Sequence, residues 1–293
     1  MGKGIRTAPR DALVADSVDK KKRGLAFGLH KALDSAGATL GLLGAAALVW
    51  FTQADAVALS RDTFQTIVLI SIIPAILSVL ALALIAQDVK VSSAAKVKKL
   101  SLAGLGKPFI TYLAIVGLFT LGNSSDGFLV LRAQTLGVSV MGIFLMLAVF
   151  KLVYSIVATP AGSLSDRIGR RQLIIYGWLI YALIYFGFAF ATQAWQAWVL
   201  YIAYGLYYGL AYGVINALVA DLVPSHLRGT AYGVYNATVG LLAFPASLIA
   251  GLLWQGIGTW SGFGPQAPFI FGGALALIAA ALMKWLMPSV KRD

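Results

Sequence analysis

The chain of 293 residues contains no cysteine and only two histidines. Disulfides, thiolate metal sites and a cysteine nucleophile are therefore excluded. A histidine-based metal centre or catalytic triad has almost nothing to draw on, and no set of His, Asp and Glu has metal-ligand spacing. No glycine-rich phosphate loop precedes a lysine, and there is no G-x-S-x-G. Neither an enzyme nor a bound cofactor is expected. Charge is scarce too: Asp, Glu, Lys and Arg make up 12% of the chain, against about 25% in a soluble domain. Acids are the scarcest, 11 against 23 Lys and Arg. So few polar side chains cannot cover a globule in water, and lipid is the expected solvent. The N-terminus also lacks the apolar run of a signal peptide.

What the chain has in quantity is apolar sequence, 59% of its residues. Reading for runs of about 20 apolar residues yields spans at Gly24–Phe51, Thr63–Ala86, Pro108–Leu131, Val138–Pro160, Gln172–Ala191, Ala197–Val219, Thr230–Trp254 and Ala267–Met287. The expected fold class is all-α, a polytopic membrane protein. The basic residues alternate between connections: Lys20–Arg23, then Lys90 to Lys107, then Arg167, Arg170 and Arg171, then Arg228, then Lys291 and Arg292. Intervening connections hold only Arg61 and Arg132. This positive-inside pattern places Gly162–Arg171 and the C-terminus in the cytoplasm. It also accounts for the net charge of +12 as topology, so no nucleic-acid partner is expected. Trp50, Trp195, Trp198, Trp254 and Trp260 fall near outer span ends and Trp285 near an inner one, as aromatic belts require. The polar, lysine-rich stretch 87–107 is the one linker. It divides the chain into 1–86 and 108–293.

An internal repeat underlies that division. Ala12-Leu-Val-Ala-Asp16 recurs as Ala217-Leu-Val-Ala-Asp221, and the register continues without a gap through Arg23/Arg228, Gly24/Gly229, Gly28/Gly233 and Ala32/Ala237. Two halves repeated in one orientation are expected. At that offset the first half lacks counterparts for roughly a hundred residues of the second. Met1–Ala15 then reads as part of a helix; a surface amphipathic helix is the alternative.

The densest polar stretch lies between the fourth and fifth spans: Gly162-Ser-Leu-Ser-Asp166-Arg167-Ile-Gly169-Arg170-Arg171. Read as a loop, its two glycines allow a tight turn and a close backbone approach. With Leu164 it resembles the G-x-L-a-D-r-x-G-r-k signature of the major facilitator superfamily. Gly4–Ala12 is similar to a fourth-helix motif of bacterial members, and Leu121–Asp126 with Leu129–Gln134 to their seventh helix. Gly28, Gly37 and Gly41 keep the spacing of the family's fifth-helix antiporter motif, a spacing that supports close helix packing, although Leu42 replaces its proline and Ala45-Ala46 its glycine pair. The resemblance implies a bundle of two pseudo-symmetric halves, the first incomplete. It implies a carrier of a small organic solute by alternating access in the plasma membrane, monomeric and linked to protons. Export comes first, proton-coupled uptake second, and a non-transporting membrane protein or inactive fragment is the rival. The resemblance further implies that the signature locks across the halves. Asp166 should face the helix starting at Arg23-Gly24, with Arg170 or Arg171 near Asp16, while the equivalent start at Arg228–Thr230 has no such partner.

A charge deep in a span costs about 2.5–3.5 kcal/mol on insertion scales, so each one asks for a reason. Asp126, beside Asn123, is the leading candidate for carrying a proton, against the alternative of a satisfied polar kink. His30 and Asp34 share a face with Lys31 between them, two turns from a span end. Lys151 is deeper, with Tyr154 nearby. Arg6 and Arg10 share a face and resemble the family's fourth-helix arginine. Tyr201, Tyr204, Tyr208 and Tyr212 form a stripe that reads as packing before it reads as a binding wall.

Overall fold

In the computed structural model the described residues are 2–53, 60–85 and 104–287. Residues 87–103 of the expected linker lie outside them. The chain forms α1 (Gly2–Asp16), α2 (Arg23–Gln53), α3 (Arg61–Ile85), α4 (Gly106–Gly122), α5 (Gly127–Thr135), α6 (Val140–Ile168), α7 (Arg170–Phe190), α8 (Ala194–Leu222), α9 (Arg228–Gln255) and α10 (Ala267–Leu286). Among the described residues eight segments are long and apolar enough to cross a bilayer. In lipid the backbone must satisfy its own hydrogen bonds, which is why these runs are helices rather than open strands.

The third expected span is interrupted. Residues 123–125 are non-helical and part α4 from α5. Asparagine and serines compete locally for backbone hydrogen bonds: Ser125 Oγ accepts from Gly127 N (3.2 Å), and Ser247 Oγ of α9 accepts from Ser125 N (3.2 Å). The stretch 162–168, expected as a loop, is instead the end of α6. Ser165 Oγ donates back to Gly162 O (2.7 Å), and Asp166 pairs with Arg170 one turn on (3.2 Å). The turn itself is a single residue, Gly169, at φ +102°, a value glycine tolerates best.

α2 packs along α6, and α6 along α8. α7 lies between α8 and α10, α4 rests on α10 and α9, and α1 lies against α9 with lesser contacts to α2 and α8. Asp11 and Ala15 of α1 are buried, so α1 belongs to the bundle and is not a surface helix. α3 touches α2 at its start, where Thr63 Oγ1 lies 3.1 Å from Thr52 Oγ1; most of its length is exposed and apolar, as a lipid-facing helix should be.

The repeat is structural. Short 3-10 turns at Lys20–Lys22 and Ser225–Leu227 occupy equivalent positions and lead into α2 and α9, each beginning Arg-Gly. Asp11 and Asn216, equivalent in the repeat, meet each other: Asn216 Nδ2 donates to Asp11 Oδ2 (3.4 Å). Two copies of one position touch only at an axis relating the halves.

Candidate functional site

Two groups of polar side chains stand out. The first closes one end of the bundle, where α1, α6 and α8 end and α2, α7 and α9 begin. Asp166 faces the start of α2: its Oδ1 accepts from Gly24 N (3.1 Å) and its Oδ2 from Leu25 N (2.9 Å). These are unsatisfied helix N–H groups at the positive end of the macrodipole, where a carboxylate is favoured. The approach needs glycine on both sides. A Cβ at Gly162 would strike Gly24 O, and one at Gly24 would strike Gly162 O and Ser165 Oγ.

Arg170 does not reach Asp16, contrary to expectation, and neither does Arg171. Arg170 binds Asp221, Asp166 (3.2 Å), Ala217 O (2.7 Å) and Lys20 O (2.9 Å). Arg171 donates to Met287 O. The reason is distance along the axis: Arg170 opens α7 beside α8, so its nearest acid is the one that ends α8. Asp16 pairs instead with Arg228, and Arg23 with Asp221 (2.9 Å). In the repeat Asp16 corresponds to Asp221 and Arg23 to Arg228. The two bridges are therefore one bridge written twice, crossing between the halves in opposite directions. Leu164 and Arg167 are exposed, and Gly169 supplies the turn.

The start of α9 differs from that of α2. Among the described residues nothing lies within 4 Å of a Cβ built on Gly229 or Gly233, whereas Gly24 and Gly28 are pressed against α6. In the antiporter-like set only Gly28 serves close packing, against Ala158 O. Gly37 and Gly41 meet nothing within 4 Å, because they lie on a face of α2 that no described helix covers. The expectation of close packing is corrected for those two.

The second group lies halfway across. Tyr208 is the middle residue of the 29-residue α8. Asp126, at the break before α5, accepts from Tyr204 Oη (2.8 Å) and from Tyr208 Oη (3.4 Å), and remains exposed on one side. Asn123 Oδ1 accepts from Tyr181 Oη (3.3 Å). Lys151 Nζ lies over Phe150, Tyr154 and Tyr208, at 4.9, 5.8 and 6.0 Å from the ring centroids. The tyrosine stripe is thus packing on one side and polar lining on the other. Tyr201 and Tyr204 are buried, while Tyr212 is partly open and stacked on Tyr208.

Nearer the closed end, Lys31 Nζ lies over the Tyr212 ring (5.3 Å). His30 is half-buried and its Nδ1 has no partner among the described residues, Asp34 is exposed, and no hydrogen bond joins the two. Arg10 pairs with Asp11 (2.8 Å). Arg6 lies on α1, its side chain outside the described residues. No described cluster of His, Asp and Glu could hold a metal.

Sequence reasoning missed Asp221 and Asn216 as site residues, although the repeat pointed to both. It also left Arg132 as a mere loop charge. Arg132 is buried at the end of α5 and donates to Phe188 O (3.0 Å) and Ala191 O (2.7 Å), pinning α5 to the carbonyl end of α7.

A bundle of apolar helices in two repeated halves, closed at one end by an acid–arginine signature, matches the Major Facilitator Superfamily model over residues 1–247 and again over 127–293. The chain belongs to the major facilitator superfamily. An uncharacterised MFS-type transporter of Methanocaldococcus jannaschii, MJ1317, is 33% identical over 292 residues, which is 98% of this chain and 69% of that protein. The quinolone resistance protein NorA of Staphylococcus aureus is 25% identical over 162 residues, 55% of this chain and 39% of NorA. The crystal structure of the human organic anion transporter MFSD10 (TETRAN) superposes with a TM-score of 0.62 at 17% identity, covering 94% of this chain and 67% of that one. That likeness shows the fold. The superfamily is one of membrane transporters, and the chain is a multi-pass, all-α membrane bundle of that type.

Proposed function

We propose that this chain acts as a secondary carrier, moving a small organic solute by alternating access with proton-driven export, and that Asp126 carries the proton. The carrying observation is Asp126 itself. It is a carboxylate at mid-span, open on one side, set at a helix break and held by the hydroxyls of Tyr204 and Tyr208. A carboxyl so placed can exchange a proton with whichever side has access.

The signature and the two reciprocal bridges serve as the gate, closed in this conformation. Its basic residues Lys20–Arg23, Arg167, Arg170, Arg171 and Arg228 favour the cytoplasmic side for that end, in the plasma membrane, with the C-terminus alongside. The halves are 1–86 and 108–293, and the carrier works as a monomer. NorA is named for quinolone resistance, which supports export of an organic solute. Uptake on the same acid is the second reading, favoured by Leu42 where the antiporter motif has proline.

The test is flux in proteoliposomes with a trapped pH dye, using a fluorescent zwitterionic quinolone as the probe solute. An imposed proton gradient drives quinolone movement in the parent and not in Asp126→Asn, and the direction of quinolone movement relative to the proton gradient separates export from uptake. Unchanged gradient-driven movement in Asp126→Asn would refute the assignment.

A further inference from the structure

We infer that the mid-span site recognises a flat aromatic zwitterion, with its ammonium on Asp126, its acid group on Lys151 and its ring on the open faces of Tyr208 and Tyr212. This rests on the carrier reading above and supplies its substrate class.

Opposite charges from different elements meet at one ring. Asp126, from the α4–α5 break, accepts the hydroxyl of Tyr208, and Lys151, from α6, lies over the face of the same ring. Both are accessible, Asp126 exposed and Lys151 half-buried. Around them Tyr208, half-buried, and Tyr212, exposed, form one stacked aromatic surface, their centroids 5.1 Å apart. Phe150 and Tyr204 are buried and back it, Phe150 edge-on to Tyr208 (5.3 Å, 88°). Such a surface takes a flat ring in offset or edge-to-face contact.

The charge pattern then selects among flat solutes. A ligand carrying only a cation finds no opposite charge at Lys151, and one carrying only an anion finds none at Asp126. A ligand with one charge of each sign meets an opposite charge at both ends and adds no net charge to the middle of the bundle.

The experiment measures binding by calorimetry to the full chain in nanodiscs without a proton gradient. Three indoles at neutral pH serve as probes: tryptophan (both charges), tryptamine (cation only) and indole-3-propionate (anion only). Tryptophan is expected to bind at least tenfold more tightly than either other probe. Lys151→Gln should bring tryptophan down to the tryptamine level, and Lys151→Arg should restore it. Asp126→Asn should weaken tryptophan and tryptamine but not indole-3-propionate. The inference is overturned if a singly charged indole binds as tightly as tryptophan, if none of the three binds, or if Lys151→Gln leaves tryptophan unchanged while the variant melts like the parent. Loss of gradient-driven flux with this order of binding intact would refute the transport reading alone.

Discussion

Asp166→Asn isolates what the closing signature contributes. In the closed end, the Asp166 carboxylate accepts from Gly24 N at 3.1 Å, Leu25 N at 2.9 Å and Arg170 Nη2 at 3.2 Å, with its side chain 10% exposed. Hydrogen bonds to a charged group are worth about 1.5–3 kcal/mol each, and a favourable charge at a partly buried helix end up to about 2 kcal/mol. Asparagine keeps one acceptor oxygen but turns an NH₂ toward N–H and guanidinium donors. The net loss is then about 2–3 kcal/mol, which lowers the ratio of closed to open roughly 30- to 150-fold.

The absence of cysteine makes the measurement clean. Ala32, 9% exposed and packed with Tyr154 and Ala158 at the α2–α6 seam, is changed to cysteine as a reporter. Maleimide labelling in native vesicles then tracks the open population, provided opening and closing outpace modification. Labelling should rise at least tenfold in the Asp166→Asn background, with little response to salt, because the bonds are shielded from solvent. A rate within twofold of the parent, in a variant that melts normally, would refute the argument that the carboxylate holds this end shut.

Two further predictions use the repeat and the other end of the bundle. Gly24→Ala places a methyl against Gly162 O and Ser165 Oγ and should cost about 1–3 kcal/mol, whereas Gly229→Ala at the equivalent position meets nothing within 4 Å and should be neutral or stabilising by up to about 1 kcal/mol. Thermal unfolding in detergent compares them, and equal melting would refute the asymmetry. Arg132→Gln should lose about 2 kcal/mol, because the side chain gives up charged bonds to Phe188 O and Ala191 O. Lysine should not rescue it, having no planar fork, and a change inside about 0.5 kcal/mol, the ordinary surface range, would refute a structural role.

Much of the fold was legible because lipid leaves the backbone so few options. Runs of apolar residues had to become helices, and the polar connections between them had nowhere else to go. The repeat in sequence, through Asp16/Asp221 and Arg23/Arg228, carried over into equivalent 3-10 turns and helix starts. Asp166 could be placed at the start of α2 because a carboxylate and unsatisfied helix N–H groups are natural partners. The residues that misled are those whose conformation is decided by neighbours. The stretch 162–168 looks like a loop by composition, yet Ser165 and Asp166 bond within and just beyond their own helix. Asn123–Ser125 sits in an apolar run, yet Ser247 from α9 draws the backbone out of the helix. Arg170 was assigned the wrong acid because sequence gives no measure of which helix end lies nearest. Gly37 and Gly41 share a spacing with Gly28, but spacing alone does not say whether a helix lies opposite.

The bridges Asp16–Arg228 and Arg23–Asp221 bear on how the closed end opens. They lie about the axis where Asp11 meets Asn216, and each half supplies one acid and one arginine. Asp221 is also held by Arg170, and Arg170 by Asp166, so the second bridge is tied through α7 to the start of α2. The first has no such tie: Asp16 and Arg228 are the more exposed pair, 17% and 11% against 10% and 7%. Removing one partner from a shielded pair costs more than removing an exposed one, since a charge is left without water or counter-ion. The side of the closed end with α7 and Asp166 is therefore the firmer one. The halves should first part at the Asp16–Arg228 bridge, at the start of α9.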